Sequence, residues 1–291
     1  SFRPRTVASQ NLPTCAVNYW DKHTRDSVKK HLELPEEADK DMWMQAIVKS
    51  VQVTSKDVRR IAETPQMLQD GTYNPQWLAA RRFRLTASRF SKIVNGGFTN
   101  RKALKKRAEG MLKHWWHRSH GDGGKKTSDK ERLTMQRYVK KMCTGKVSLP
   151  KQEMIAPEVG KRLQTIDVDD YEQVKGLTDL GVRLSEVGSF VPQNLPWLAA
   201  SPDATIVSKD SREVLWLLEA KTKLTAVEPQ TRVWHQVQGS MALASEVVGY
   251  EIKFADLISS TGEVRRIDFD PKAWATTVQS LKRFYFEAYL P

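Results

Sequence analysis

The chain has 291 residues, and its 47 lysines and arginines outnumber its 34 acidic residues, which gives a formal net charge of +13. This length suits one or two domains with a substantial core. The excess positive charge attracts phosphates through counterion release, so the composition favours a nucleic-acid partner. No stretch approaches the roughly 20 consecutive apolar residues of a membrane-spanning helix, which argues against a membrane protein.

Cysteine usage indicates a reducing compartment. Cys15 and Cys143 are the two cysteines of the sequence, and they lie in dissimilar surroundings. A disulfide framework and a cysteine-based zinc site are therefore not expected. No hydrophobic signal segment opens the sequence, so we expect an intracellular protein, with the nucleus or cytoplasm favoured.

The first 75 residues are predicted to form a helical N-terminal extension. Apolar residues recur at helical spacing from about Asp41 to Val51, which predicts one helix. Thr54 is predicted to cap a second helix that ends near Ala62. Pro65 then breaks the pattern.

Residues 76–164 form a strongly basic region that is predicted to be mainly helical. A cluster of like charges is usually a solvated helix face, and contact with DNA is the alternative. The cluster consists of Arg101, Lys102, Lys105, Lys106, Arg107 and Lys113.

The remainder of the chain is predicted to contain the strands. Strand patterns occupy about residues 190–191, 199–207, 214–220 and 251–258, and helices are predicted at 231–244 and 271–289. The last helix is predicted to begin with Asp270 as its cap and Pro271 at its first position. Strands with helices on both sides favour an α/β core over a helical bundle.

Two carboxylates and a lysine are expected to meet at the end of this sheet. A turn near Asp210 would bring Asp203 opposite or diagonal to Glu219 by antiparallel pairing. Side chains alternate along a strand, so Glu219 and Lys221 are predicted to share one face. Charges at the end of an otherwise apolar strand need a reason, because unpaired buried charge is costly.

Such a set of residues is suited to metal-dependent hydrolysis of phosphodiesters. Magnesium prefers oxygen ligands and keeps several waters beside one or two carboxylates. A bound metal lowers the pKa of a water and polarises a phosphoryl oxygen, and a nearby lysine can stabilise the developing charge. The alternative is an ordinary surface Glu-Lys pair that follows a Ser-Pro-Asp turn.

Three segments, in order, resemble the YqaJ viral recombinase family, to which lambda exonuclease is related. They are Trp77 to Phe90 (WLAARRFRLTASRF), Pro196 to Asp203 (PWLAASPD) with Leu218 to Lys221 (LEAK), and Trp234 to Met241 (WHQVQGSM). The resemblance implies the restriction-endonuclease-like fold of the PD-(D/E)XK superfamily, a mixed central β-sheet flanked by helices. The resemblance covers about Val53 to Ile258. We assign residues 76–291 to the nuclease domain and residues 1–75 to a helical N-terminal extension.

The resemblance also implies roles for individual side chains. Asp203 and Glu219 would hold Mg²⁺, with Mn²⁺ as an alternative, and Lys221 would assist the attacking water. Gln236 would face the cleft; Gln238 lies two positions further along and cannot share that helical face. The family binds a terminal 5′ phosphate at the positions of Arg81 and Ser88, whose alternatives are a surface charge and a helix-start hydrogen bond.

One position departs from the family pattern. The family carries a glutamate on a helix before the central hairpin, and the best-spaced match here is Gln164. Its amide oxygen could coordinate a metal but adds no negative charge. A shifted register would make Glu158 the ligand instead.

These observations support three functional hypotheses. The first is a metal-dependent deoxyribonuclease, most concretely a 5′–3′ exonuclease on the ends of linear double-stranded DNA, with a single-strand annealing protein as a candidate partner. The second is a DNA-end-binding module whose catalysis is weakened by Gln164. The third is a basic, non-catalytic nucleic-acid-binding protein in which the acidic residues are incidental.

Overall fold

The computed structural model describes residues 22–68, 72–95, 108, 181–221, 224, 228–259 and 263–290. Gln164 and Glu158 lie outside the described residues, as do the basic residues at 101, 102, 105–107 and 113. Among the described residues, no helix combines the length and the apolar composition that crossing a bilayer requires.

Among the described residues of the N-terminal segment, two helices lie where they were predicted, and a third was not predicted. They are α1 (Lys22–His31), which was not predicted, and α2 (Lys40–Ser50) and α3 (Ser55–Glu63), which were. The Thr54 hydroxyl accepts a hydrogen bond from the Asp57 N–H, and the Asp57 carboxylate accepts one from the Thr54 N–H. This capping box satisfies helix-end donors that would otherwise be unpaired, and it confirms the predicted start of the second helix.

A compact segment follows the extension. It contains α4 (Pro75–Ala80), β1 (Leu85–Thr86), a 3₁₀ turn (Ala87–Arg89) and α5 (Phe90–Val94). The strand β1 pairs in parallel with β3 (Leu198–Ala199) to form a small two-stranded sheet. This pairing brings the segment with the Arg81 and Ser88 positions alongside the segment that leads to Asp203.

Among the described residues, a mixed sheet of five strands forms the centre of the fold. Its strands are β2 (Val182–Ser185), β4 (Ala204–Ser208), β5 (Val214–Lys221), β6 (Phe254–Ser259) and β7 (Val264–Asp268), in the order β2-β4-β5-β6-β7. Strands β5 and β6 run parallel, and the other neighbours run antiparallel. The predicted α/β class with a mixed central sheet is confirmed.

Two long helices accompany the sheet. They are α6 (Arg232–Val248) and α7 (Pro271–Phe284), and a π-helical turn (Tyr285–Tyr289) continues α7. Asp270 caps α7 by accepting from the Ala273 N–H, as predicted. The helix α6 is longer than predicted and ends at Gly249, whose φ of 83° is the left-handed conformation that glycine adopts without steric cost.

The strand predictions need three corrections. The strand expected at 199–207 is divided into β3 and β4, with Pro202 in the interruption, because proline has no N–H for a strand ladder. The expected strand at 190–191 is reduced to an isolated bridge between Phe190 and Ala200. The edge strands β2 and β7 were not predicted. In β7 (VRRID), the charges that are typical of exposed sheet edges interrupt the apolar pattern by which a strand is recognised.

The extension shares its core with the sheet region. Trp43 and Ile47 of α2 belong to the same buried apolar cluster as Phe90, Leu217 and the final turn. The boundary at residue 75 stays a prediction about domain organisation. Burial of shared apolar surface holds the extension against the segments that carry the candidate site.

Candidate active site

Asp203 lies beside the end of β5. Pairing of Ala204 with Leu218 places the residue before β4 next to Glu219. The Asp203 Oδ2 atom accepts a hydrogen bond of 2.8 Å from the Ala220 main-chain N–H. The antiparallel hairpin therefore brings Asp203 and Glu219 together, as the turn near Asp210 predicts.

Glu219, Lys221 and Gln236 form a closed ring of polar contacts. The Lys221 ammonium lies 2.5 Å from Glu219 Oε1 and 3.2 Å from Gln236 Oε1. The Gln236 amide nitrogen also donates to Glu219 Oε1. Glu219 is 5% exposed, so this pair is not the ordinary surface ion pair that the sequence left open.

Strand alternation and helix periodicity explain why these side chains meet. Glu219 and Lys221 point toward α6, and the side chain of Gln236 on α6 hydrogen-bonds both of them. Gln238 points elsewhere: its amide donates to the Asp268 carbonyl and accepts from the Asp270 N–H, each at 2.8 Å. The expectation that only one of the two glutamines serves the cleft is consistent with these contacts.

The donor set is suited to a hard divalent cation. Glu219 Oε2 is buried and has no hydrogen-bond partner among the described residues, which leaves an acceptor to be satisfied. The Asp203 carboxylate lies on the neighbouring strand end. The described part of the chain contains no cluster of three or more His, Cys, Asp or Glu residues that could hold a metal. Both candidates for a third ligand, Gln164 and Glu158, lie outside it.

Arg81 is held in a buried stack of side chains. Its guanidinium lies 4.2 Å from the centroid of a Trp77 ring, and Trp77 stacks on Tyr73 with centroids 5.4 Å apart. Arg81 is 2% exposed, so the interpretation as a surface charge is wrong. A cation over an aromatic face is attracted by the ring quadrupole, which fixes the direction of the guanidinium.

Arg81 binds a serine that the sequence did not single out for a role. Its Nη1 donates to Ser201 Oγ, and Ser201 Oγ lies 2.7 Å from Ser189 Oγ. Ser88 Oγ lies 3.4 Å from Thr86 Oγ1. In the sequence, the position of Ser201 two residues before Asp203 was the feature that could have indicated a role at the site. No sequence feature indicated Ser189, because the bridge between Phe190 and Ala200 brings it to Ser201.

Arg84 is a second buried arginine near the site, and its contacts are structural. Its guanidinium donates to the carbonyls of Val51 (2.8 Å), Ala80 (2.6 Å) and Pro196 (2.8 Å). Burial lowers the pKa of Arg84 to about 10. The side chain thus ties the ends of α2 and α4 to the loop before β3, where a positive charge also complements the helix dipoles.

His235 connects α6 to α5. Asn95 Nδ2 donates to the Gln230 carbonyl at 2.7 Å, which turns its Oδ1 toward His235 Nε2 at 3.2 Å. Because an amide oxygen only accepts hydrogen bonds, Nε2 is the nitrogen that carries the hydrogen in the neutral ring of His235. Burial lowers the pKa of His235, which favours the neutral ring. This contact fixes the first turns of α6, next to Gln236.

No protein-family model and no curated protein matches the sequence. Among solved structures, the chain is similar to the alkaline exonuclease LHK-Exo from Laribacter hongkongensis, with 16% identity and a TM-score of 0.38 over 74% of this chain and 92% of that one. The structure of LHK-Exo in complex with dAMP gives 17% identity and a TM-score of 0.45 over the same shares of the two chains.

Proposed function

We propose that the protein is a metal-dependent deoxyribonuclease, most concretely a 5′–3′ exonuclease that acts on the ends of linear double-stranded DNA. The observation that carries this proposal is the contact set at the end of β5. There a buried glutamate, a lysine and a glutamine share hydrogen bonds beside a second carboxylate. A charged cluster buried at a strand end is a candidate functional site.

Asp203 and Glu219 would hold Mg²⁺ or Mn²⁺ in this scheme. The fit rests on the unpaired Glu219 Oε2 atom and on the preference of these ions for carboxylate oxygen. When bound, such an ion supplies Lewis acidity toward a phosphoryl oxygen and makes a bound water more acidic. Gln164 or Glu158 would complete the ligand set.

Lys221 would act on the reacting groups directly. Its ammonium has three N–H donors, and two of them are directed at Glu219 and Gln236. The third is available to the attacking water or to a phosphate oxygen, where it would stabilise negative charge as it develops. Gln236 would keep both Glu219 and Lys221 in place.

Arg81 and Ser88 would bind the 5′ phosphate of the DNA end. A guanidinium can grip a phosphate through two parallel hydrogen bonds. The Trp77 stack prevents Arg81 from adopting other directions, and Ser201 adds a hydroxyl to the same polar cluster. Since Ser201 and Asp203 belong to one tripeptide, a phosphate held at the cluster would lie close to the carboxylates.

The deciding experiment is digestion of labelled DNA by the purified protein over a titration of Mg²⁺. Substrates are a linear duplex with a 5′ phosphate, the same duplex with a 5′ hydroxyl, and a covalently closed circle. We expect digestion of the linear molecules, faster with the phosphate, and an intact circle. Lys221→Ala should abolish digestion, whereas Lys209→Ala, in the exposed hairpin turn, should not.

Other outcomes separate the alternatives. Equal digestion by Lys221→Ala and the wild type would refute the assigned chemistry. Salt-sensitive binding of DNA ends without cleavage, together with turnover restored by Gln164→Glu, would identify the weakened end-binding module. Binding with no preference for a 5′ phosphate and no cleavage would identify a non-catalytic nucleic-acid-binding protein.

A further inference from the structure

Gln66 lies in the loop after α3, and its side chain extends to the Asp203 segment. The side-chain amide nitrogen donates to the Val187 carbonyl at 3.0 Å and to the Pro202 carbonyl at 2.6 Å. Gln66 is 9% exposed. The two carbonyl partners lie 121 and 136 residues away in sequence. The buried amide therefore connects distant segments of the chain and does not stabilise a local turn.

The main chain around Gln66 is itself held firmly. Its carbonyl accepts from the N–H of Asn74, the residue that caps α4. Nearby, Gly188 N–H donates to the Ala62 carbonyl at 2.7 Å. A Cβ at Gly188 would collide with the carbonyls at the end of α3, so only glycine permits this close approach. The main chain at Gln66 is therefore held in place, and its side chain hydrogen-bonds the segment that contains Asp203.

The geometry points to Gln66 as a positioning residue for Asp203. The Pro202 carbonyl belongs to the peptide that joins Pro202 to Asp203, so a hydrogen bond to it fixes the orientation of that peptide plane. The direction of the Asp203 carboxylate depends on that plane. This inference rests on the proposed function, in which Asp203 is a metal ligand.

The tripeptide before β4 is then held at each of its three residues. Ser201 Oγ is bound by Arg81 and Ser189. The Pro202 carbonyl is bound by Gln66, and Asp203 Oδ2 is bound by the Ala220 N–H. The segment has no strand ladder of its own, because β3 ends at Ala199 and β4 begins at Ala204. Side-chain hydrogen bonds replace the ladder as the source of rigidity.

Removal of the Gln66 hydrogen-bond donor should lower the affinity of the site for the metal. Groups that orient metal ligands typically contribute 10–100-fold to metal affinity or activity. Gln66→Met keeps the length of the side chain but cannot donate a hydrogen bond. The Pro202 peptide then loses a fixed partner, and Asp203 samples orientations that do not bind.

The experiment measures Mn²⁺ binding by electron paramagnetic resonance without DNA, together with the Mg²⁺ concentration that gives half-maximal DNA cleavage. We expect Gln66→Met to weaken Mn²⁺ binding roughly tenfold and to raise the half-maximal Mg²⁺ concentration by a similar factor. The matched control is Gln193→Met, which removes an exposed amide bonded to Val53 and Ser55 without touching Pro202. The control should bind Mn²⁺ as the wild type does.

If Gln66→Met does not fold, a second pair of variants tests whether Gln66 positions Asp203. Gln66→Lys retains N–H donors, whereas Gln66→Glu in its ionised form has none. Simple electrostatics predicts that Gln66→Glu attracts Mn²⁺ more strongly, whereas the positioning role predicts tighter binding by Gln66→Lys. Tighter binding by Gln66→Glu would overturn the inference.

The remaining outcomes keep the two proposals distinguishable. Equal Mn²⁺ affinity in Gln66→Met and Gln193→Met overturns the positioning role, even if both cleave DNA. A wild type that binds Mn²⁺ but leaves DNA intact overturns the proposed nuclease activity, and the order of affinities among the variants still decides the role of Gln66. A wild type that binds no Mn²⁺ overturns the inference together with the metal site.

Discussion

Gln236 and Glu219 meet across the interface between α6 and β5, where the amide nitrogen of Gln236 donates to Glu219 Oε1. Both side chains are buried, at 6% and 5% exposed. The contact leaves the other carboxylate oxygen of Glu219 without a partner among the described residues. Gln236 thus orients the carboxylate so that one oxygen faces Lys221 and the other is left for a ligand.

Replacement of Gln236 should impair activity more than folding. Gln236→Leu removes the donor to Glu219 and the acceptor for Lys221, so we expect DNA digestion to fall roughly 10–100-fold, as for other groups that orient metal ligands. Steady-state rates on a linear duplex at several Mg²⁺ concentrations provide the measurement. Wild-type rates in this variant would show that the ring of contacts is dispensable.

Gln238→Leu is the matched substitution two positions along the same helix. It removes the contacts to the Asp268 carbonyl and the Asp270 N–H. We expect a loss of about 1–3 kcal/mol in the free energy of unfolding, because buried main-chain groups lose their partners. Urea denaturation measures this loss, and the rate per folded molecule should stay near that of the wild type.

Arg84 should be among the strongest determinants of stability near the site. Arg84→Met leaves the carbonyls of Val51, Ala80 and Pro196 without their donor. Each unpaired buried acceptor costs about 1–3 kcal/mol, so we expect a loss of at least about 3 kcal/mol in the free energy of unfolding. Chemical denaturation checks this, with the exposed Arg59→Met as the control. Similar stability in the two variants would contradict the structural role.

Arg81 should determine the preference for phosphorylated ends. Arg81→Lys keeps a positive charge but loses the planar fork that grips a phosphate bidentately and stacks on Trp77. We expect the ratio of digestion rates for 5′-phosphate and 5′-hydroxyl duplexes to fall roughly tenfold. Arg183→Lys, at an exposed position of β2, is the control. An unchanged ratio in Arg81→Lys would place the 5′-phosphate contact elsewhere.

Stability should decrease as the pH falls through the titration of His235. Burial lowers the pKa of His235 below its ordinary value of 6.5, so the unfolded chain takes up a proton before the folded chain does. The free energy of unfolding therefore declines as the pH drops from about 6.5 to the folded pKa. His235→Gln should flatten this decline, because its amide can still donate to Asn95 but does not titrate.

The measurement is the urea midpoint between pH 8 and pH 5.5. Asp57 does not interfere in this window: hydrogen bonds from Thr54 lower its pKa from 3.8 to about 2. Its contribution is present above the unfolded pKa and is lost only as the pH falls toward the folded value. Parallel pH profiles for the wild type and His235→Gln would exclude His235 as the source of the dependence.

Local features were readable from the sequence because their causes lie within a few residues. The Thr54 capping box and the Asp270 cap involve partners three positions away. The shared face of Glu219 and Lys221 follows from strand alternation over two positions, and the turn near Asp210 fixes which strand faces them. The sequence by itself therefore determined the starts of α3 and α7, the central hairpin and the three side chains that the hairpin carries.

The partners of those side chains were decided by tertiary structure. Arg81 meets Ser201, and Gln66 meets Pro202, across more than a hundred residues of chain. The edge strand β7 forms because it pairs with β6, not because its own pattern is apolar. Such contacts depend on how elements pack and on which buried polar groups need partners, and neither is encoded in local periodicity.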